Sequence, residues 1–333
     1  MKMKKMFLKP STLVFLLFAL VLSIVIPRVS QGYSMMVMNN ALIFCVATFG
    51  VSVMLGLGGQ LSFATVSFMG VGAYSMANFC SGRHGFKLEP MPALLITIVI
   101  ATIISFLLGL VLMVLRNTYF TFASIALVQV TWSFYINYKP LFGGPDGISG
   151  VSNFRIFGWT PANYNEWFYV LVVVLVIVSL LVERIRRTQL GRSLSAIRDN
   201  EIAARTLGIN VYMTKVIGFT IAGVLAALAG SLYAMHGQFV SGDMFTFERS
   251  TTYIIMAMLG GVNNTFGVIV GSILVTMLPE WLRFMQRYLQ LIYGIGVILL
   301  MVFMPMGLSG LASSLSKSVK RRLKKAKKGG AVS

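Results

Sequence analysis

The sequence predicts an all-α polytopic membrane bundle of about eight to ten transmembrane helices, with re-entrant segments as the variant. Three observations carry this. Hydrophobic residues make up 57% of the 333 and charged residues only 11%, against roughly 45–50% and about 25% in ordinary globular domains. Mean hydropathy is +0.82. The basic residues are sorted into clusters separated by long apolar runs. So little polar surface cannot cover a soluble core, and intrinsic disorder or a disulfide-stapled miniature domain is excluded as well.

The chain starts with a basic segment, 1–9, holding Lys2, Lys4, Lys5 and Lys9. The apolar run from Pro10 to Pro27 follows. It has the look of a signal-peptide core but no convincing cleavage site, so it reads as a retained signal-anchor helix. Further spans are expected over about 34–56, 60–80, 91–115, 118–137, 166–182, 214–236, 250–262, 265–280 and 288–305. The stretch 250–278 is split by Gly260, Gly261, Asn263 and Asn264. It reads either as two tilted spans or as half-helices meeting inside protein, where irregular backbone is tolerated. The whole transmembrane region is 10–305, and a polybasic tail, 306–333, ends the chain.

Charge sets the orientation. The chain has 28 Lys+Arg against 9 Asp+Glu, a net +19. With both termini inside, the basic start, the 183–215 loop, Arg116 and the tail all fall on the inner side, joined only by the acids Glu183, Asp199 and Glu201. This is the positive-inside pattern of an inner-membrane protein. The tail is suited to anionic membrane lipid, and no nucleic-acid partner is expected.

Two loops are informative. The outer one, 138–167, carries Gly143, Gly144, Pro145, Asp146 and Gly147, a turn-forming run. Its aromatics Phe157, Trp159, Tyr164 and Trp167 suit a membrane–water boundary. It reads as a lid between helices or as a docking surface for something arriving from outside. The inner loop, 183–215, holds a predicted helix over Ser193–Leu207, with Leu194, Ile197, Ile202, Ala203 and Leu207 on one apolar surface and Gly208 ending it. That helix either transmits motion to a partner or lies flat on the lipid.

Four stretches together resemble the branched-chain amino-acid permease family of ABC importers. They are GLGGQLSFATVSFMGVGAY (56–74), FGGPDGISG (142–150), AIRDNEIAARTLGINVYMTKVIGFTIAGVLAALAGSLYA (196–234) and MLGGVNNTFGVIVGSILVTMLPEWLR (258–283). The similarity covers almost the whole chain, with these stretches in consistent order. The resemblance implies a permease bundle that pairs with a second related permease as a heterodimer. Two cytoplasmic ATP-binding subunits, holding ATP and Mg, would bind below, and a periplasmic amino-acid-binding protein would deliver leucine, isoleucine or valine from above. It also implies that Arg198, Asp199, Glu201, Ala203, Ala204 and Gly208 belong to the ATPase-coupling loop. One departure stands out: Asn264 replaces an expected Gly and Val268 an expected Pro in the turn around Gly260, Gly261 and Gly267. Related permeases handle urea, short amides or other amino acids, and 142–150 does not exclude them. A secondary transporter or channel is the weaker alternative.

Within 56–74, the glycines read as close-packing positions. Gln60, Ser62, Thr65 and Ser67 are polar candidates for the translocation path, with Phe63 and Tyr74 shaping an apolar passage. No catalytic constellation or Walker A motif is present, so no enzymatic activity and no cofactor on this chain are expected. Cys45, Cys80, His84 and His236 are isolated and lack metal-ligand spacing, while Met3/Met6 and Met301/Met304 have MxxM spacing but no further soft ligands to complete a metal site.

Overall fold

In a computed structural model, residues 32–282 are described except for 84, 86 and 157, and beyond them only 291 and 294. The expected first and last spans, the basic start, the tail, His84, Phe157 and both methionine pairs lie outside the described residues. Within them the chain is almost wholly helical. The long helices are α1 (Tyr33–Val51), α2 (Thr65–Cys80), α3 (Pro90–Leu112) and α4 (Asn117–Asn137). After the short α5 (Lys139–Phe142) come α6 (Tyr164–Arg187), α7 (Gln189–Asp199), α8 (Glu201–Thr206) and α9 (Val211–Gly237). The last two are α10 (Phe247–Gly260) and α11 (Thr265–Trp281). Among the described residues, five helical stretches are long and apolar enough to cross a membrane: Tyr33–Leu57, Pro90–Leu112, Thr118–Asn137, Tyr164–Arg187 and Val211–Gly237.

Burial separates core from periphery. The α1 stretch is 89% buried and α9 67%, whereas α3 and α4 are each 22%. A helix apolar all round belongs in the middle of a bundle, and α1 fits: Ile43, Cys45, Ala47 and Phe49 are all fully buried. Lipid supplies no hydrophobic drive between helices, so close backbone contact through small residues does the packing. A Cβ at Gly50 would strike the Ala222 carbonyl of α9 at 2.7 Å. Gly72 of α2 lies against Ala227 of α9, and Gly230 of α9 against Met69 of α2, with no room for a methyl at either. Ser231 adds a hydroxyl donated to the Gly72 carbonyl at 3.3 Å.

The span expected over 60–80 starts only at Thr65, as α2. Helix α1 passes into a π-helix, Ser52–Leu57, and the chain then runs without helical structure to Ala64 before α2 begins. Gly59, at φ +66°, provides the reversal that a side chain would resist.

Helices α10 and α11 form a tight hairpin. Gly260 and Gly271 bring their backbones together, and Gly261, at φ +97°, turns the chain. Asn264 accepts from the backbone N–H of Phe266 at 3.0 Å and of Gly267 at 3.4 Å, capping α11. The asparagine that departs from the family pattern is therefore a helix cap. Helix α10 starts inside the bundle: Phe247 packs on Phe63 with ring centroids 5.1 Å apart, and the Ser250 hydroxyl donates to the Phe63 carbonyl.

The two ends of the bundle differ. One, the basic end, carries α7 and α8. The other is closed by the 138–163 lid, whose strand Ile148–Ser149 pairs antiparallel with Phe239–Val240. Ile148, Val151 and Phe154 point inward, and Ser152 donates to the Cys80 carbonyl at 3.0 Å. Of its aromatics, Trp159 and Tyr164 are exposed and Trp167 is buried.

Replacing Gly72 with Val is expected to destabilise the bundle by at least about 1–3 kcal/mol through overpacking. Gly237→Ala, where a Cβ meets nothing within 4 Å, leaves stability unchanged. Thermal unfolding midpoints in detergent, followed by fluorescence-detected gel filtration, compare the two.

Candidate functional site

The break before α2 exposes backbone groups that no helix satisfies, and neighbouring hydroxyls take them up. Thr121 of α4 donates to the Leu61 carbonyl at 3.1 Å, and the Ser124 hydroxyl accepts from the Phe63 N–H at 3.1 Å. Ser250 of α10 donates to the Phe63 carbonyl, and Ser62 accepts from the Ala64 N–H at 3.3 Å. Residues 61–63 are thus held between α4 and α10. Ser67 accepts from Thr131 at 2.8 Å, while its carbonyl accepts from Tyr135 at 2.7 Å. Gln60 is 6% exposed, and neither atom of its side-chain amide has a partner among the described residues. Such a group carries a desolvation cost unless something completes it.

Of the residues expected along a path, Gln60, Ser62, Phe63, Thr65 and Ser67 form one strip. Tyr74 stands apart, 1% exposed, in an aromatic cluster with Tyr135, Phe142 and Phe245 beneath the lid. Beside Ser62 and Thr65 lies a cavity of about 10 Å³, also lined by Gly50, Met54 and Phe219. That space admits one water at most, so the strip is closed in this conformation. In the lid, Gly143, Gly144 and Gly147 all have positive φ. They fold the run so that Pro145 and Asp146 stand exposed at its tip.

At the basic end, two arginines meet the ends of core helices. Arg198, from the last turn of α7, donates to the Gly56 carbonyl at 2.6 Å and to the Asn263 side-chain oxygen at 3.4 Å. It also pairs with Asp199 at 2.9 Å. Its methylene stem lies against Gly59, where any Cβ would overlap it. Arg186 of α6 donates to Ser52 Oγ at 2.7 Å, to the Val262 carbonyl at 3.2 Å and to the Asn263 carbonyl. Ser52 in turn donates to Val262 at 2.6 Å. Carbonyls at helix C-termini lack intrahelical partners and carry partial negative charge, which cations complement. The joint therefore ties the α7 loop to the end of α1 and to the α10–α11 turn.

The predicted Ser193–Leu207 helix is two helices. Asn200, at φ −160°, ends α7 and caps α8 by accepting from the Ala203 N–H at 3.0 Å. The break resets the helical phase and splits the expected apolar surface. Leu194, Ile197 and Ala204 turn inward, with Leu194 packed on Gly218 of α9. Ile202 is 77% exposed and Leu207 79%, with Ala203 also exposed. Gly208 follows at φ +80°. Glu201 bonds Lys215 at 2.7 Å and Arg205 at 2.7 Å, and the Lys215 side chain is only 8% exposed. The hydrogen bond from Lys215, then its charge and that of Arg205, hold the Glu201 carboxyl below its ordinary range against the opposing effect of burial. Arg186, Ser52 and Asn263 were not anticipated. Nothing in the RIRR run singles out one arginine, and only the fold shows which of them turns inward.

The chain matches a family model described as branched-chain amino acid transport system / permease component over residues 33–304. It is 29% identical over 317 residues to the high-affinity branched-chain amino acid transport system permease protein LivM of Escherichia coli, covering 88% of this chain and 74% of that one. The Salmonella typhimurium protein of the same name is 28% identical with the same coverage. A probable branched-chain amino acid transport permease protein LivM of Methanocaldococcus jannaschii is 24% identical over 236 residues, 65% of this chain and 68% of that one. No solved structure matches with significance.

Glu201's depressed carboxyl implies a pH dependence with a definite sign. Its stabilisation of the 199–215 region is fully present above the ordinary carboxylate pKa and is lost as pH falls through the lower folded-state value. Glu201→Gln leaves Lys215 buried without its anion and is expected to open this region already at neutral pH. Hydrogen exchange of residues 199–215 as a function of pH should show acid-induced opening in the wild type and a flat, fast profile in the variant.

Proposed function

The chain belongs to the branched-chain amino acid transport system permease component family, and from that premise we propose that it is one membrane subunit of an ATP-driven importer for leucine, isoleucine and valine. It pairs with a second, related permease to enclose the translocation path. Two ATPase subunits, carrying ATP and Mg, dock at the basic end, and an amino-acid-binding protein delivers substrate at the lid. The membrane is the bacterial inner membrane, with the basic end and both termini in the cytoplasm, as the charge distribution favours.

The observation that carries this reading is the pairing of an exposed apolar surface with a joint to the core. Ile202, Ala203 and Leu207 present apolar atoms to solvent outside the membrane-crossing helices. A few exposed apolar anchors on a small helix suit insertion into a partner's groove. Behind them, Arg198 and Arg186 reach the end of α1 and the α10–α11 turn. Movement of the docked ATPases acts on α7 and α8. The arginines pass it to the carbonyls of Gly56 and Val262, and so to the broken segment bearing Gln60. The switch between outward and inward access is mechanical, and this chain contributes no nucleotide chemistry.

Ile202→Asp is expected to leave membrane insertion intact but to reduce co-purification of the ATPase and substrate-stimulated ATP hydrolysis by at least about ten-fold, the loss of about 1.4 kcal/mol of docking energy. Gly208→Val, strained at its positive φ, is expected to impair coupling in the same assay. Unchanged transport and ATPase activity in both variants would remove the coupling role from this loop. Uptake competition among leucine, isoleucine, valine, urea and short amides, in a strain lacking the gene, tests the substrate class.

A further inference from the structure

Helices α3 and α4 are equally peripheral, each 22% buried, yet their outward faces differ in chemistry. The exposed side of α3 runs through Leu95, Val99, Ile103 and Leu107. Its one exposed hydroxyl, on Thr102, is satisfied by the chain's own Ile98 carbonyl at 2.7 Å. The exposed side of α6 is likewise apolar through Val173, Ile177 and Leu181. Helix α4 has the lowest mean hydropathy of the five spans, 1.3 against 2.9 for α3 and 2.6 for α6. Its exposed surface combines Gln129, Ser133 and Asn137, spaced four residues apart, with Tyr119, Phe122, Val130 and Phe134.

Gln129 lies about 18 Å along the helix from Asn117 at about 1.5 Å per residue, near the middle of a hydrocarbon layer of about 30 Å. No hydrogen bond joins its amide to the rest of the described chain. Asn137 bonds only to Ser133, at 2.9 Å to the carbonyl and 3.2 Å to the hydroxyl. An amide with free donors and acceptors facing lipid would cost several kcal/mol.

We propose that this face of α4 is the wall of the translocation path, opposed across water by the second permease, and that Gln129, Ser133 and Asn137 accompany the solute through it. Val130, Ser133, Phe134, Asn137 and Tyr138 line a shallow depression of about 340 Å³ on this face. Its amide and hydroxyl suit the ammonium and carboxylate of an amino acid, and Val130 and Phe134 suit an aliphatic side chain. The assignment rests on the importer reading above and gives that reading its path-lining residues.

The test uses the whole transporter in proteoliposomes, with Cys45 and Cys80 replaced by Ala. Gln129→Cys, Ser133→Cys and Asn137→Cys are compared with Val99→Cys and Ile103→Cys on α3. The probe is a charged, membrane-impermeant methanethiosulfonate. A thiol in hydrocarbon stays protonated and unreactive, so the α4 cysteines should be labelled at least about ten-fold faster than those on α3. Leucine supplied with the binding protein should slow labelling at 133 and 137. Labelling as slow as on α3, from lipid or from dry contact with the second permease, would overturn the proposal. Fast labelling slowed by another solute but not by leucine would uphold the wall and overturn the substrate class.

Discussion

A backbone carbonyl or N–H inside a bilayer has no water to turn to, and this structure is arranged around that constraint. Wherever the chain leaves a helix within the bundle, a specific side chain arrives to take up the released groups. Thr121, Ser124 and Ser250 serve the segment before α2. Ser52, Arg186 and Arg198 serve the ends of α1 and α10. These are long-range contacts between different helices, so the irregular segments depend on the assembled bundle and cannot form ahead of it.

The same contacts make the irregular segments communicate. Residues 61–63 touch α4 on one side and α10 on the other, while Gly56 and Asn263 share one guanidinium. Between them stand the close backbone contacts of α9 with α1 and α2, alongside packed rings such as Phe68 on Phe219 and Phe44 on Tyr233. A bundle packed this closely shifts as whole helices and does not deform continuously. A hydrogen-bonded joint at its end converts a displacement of α7 into a displacement of helix termini.

Much of this was legible in the sequence, and the limits have physical causes. The apolar runs 34–56, 91–115, 118–137, 166–182 and 214–236 all correspond to observed helices, because length and hydropathy alone decide a membrane span. The expected runs 34–56 and 60–80 leave a join at 57–59, but not the extent of the break to Ala64, since its glycines also suit tight helix packing. Asn200 as a divider between α7 and α8 was missed because the apolar period continues across it; the Asp-Asn-Glu run was the available cue. Among site residues, the position of Arg198 could be anticipated only from resemblance, and its contact with Gly56 depends on a fold no local pattern encodes. The spacing of Gln129, Ser133 and Asn137 carried no signal by itself, because whether those side chains turn inward or outward is set by packing such as the bonds of Thr131 and Tyr135 to Ser67 of α2.

The two-residue strand pairing at the lid has a consequence for the order in which the two sides of the protein can respond. Ile148 is registered to Val240, and only residues 241–246 separate that strand from α10. Helix α10 then runs as a rigid rod to the turn gripped by Arg186 and Arg198. A push on the lid and a pull on the basic end therefore act on opposite ends of one shaft. The main chain thus joins the lid to the basic end through six residues and one helix, a link that needs no relay of side-chain rearrangements.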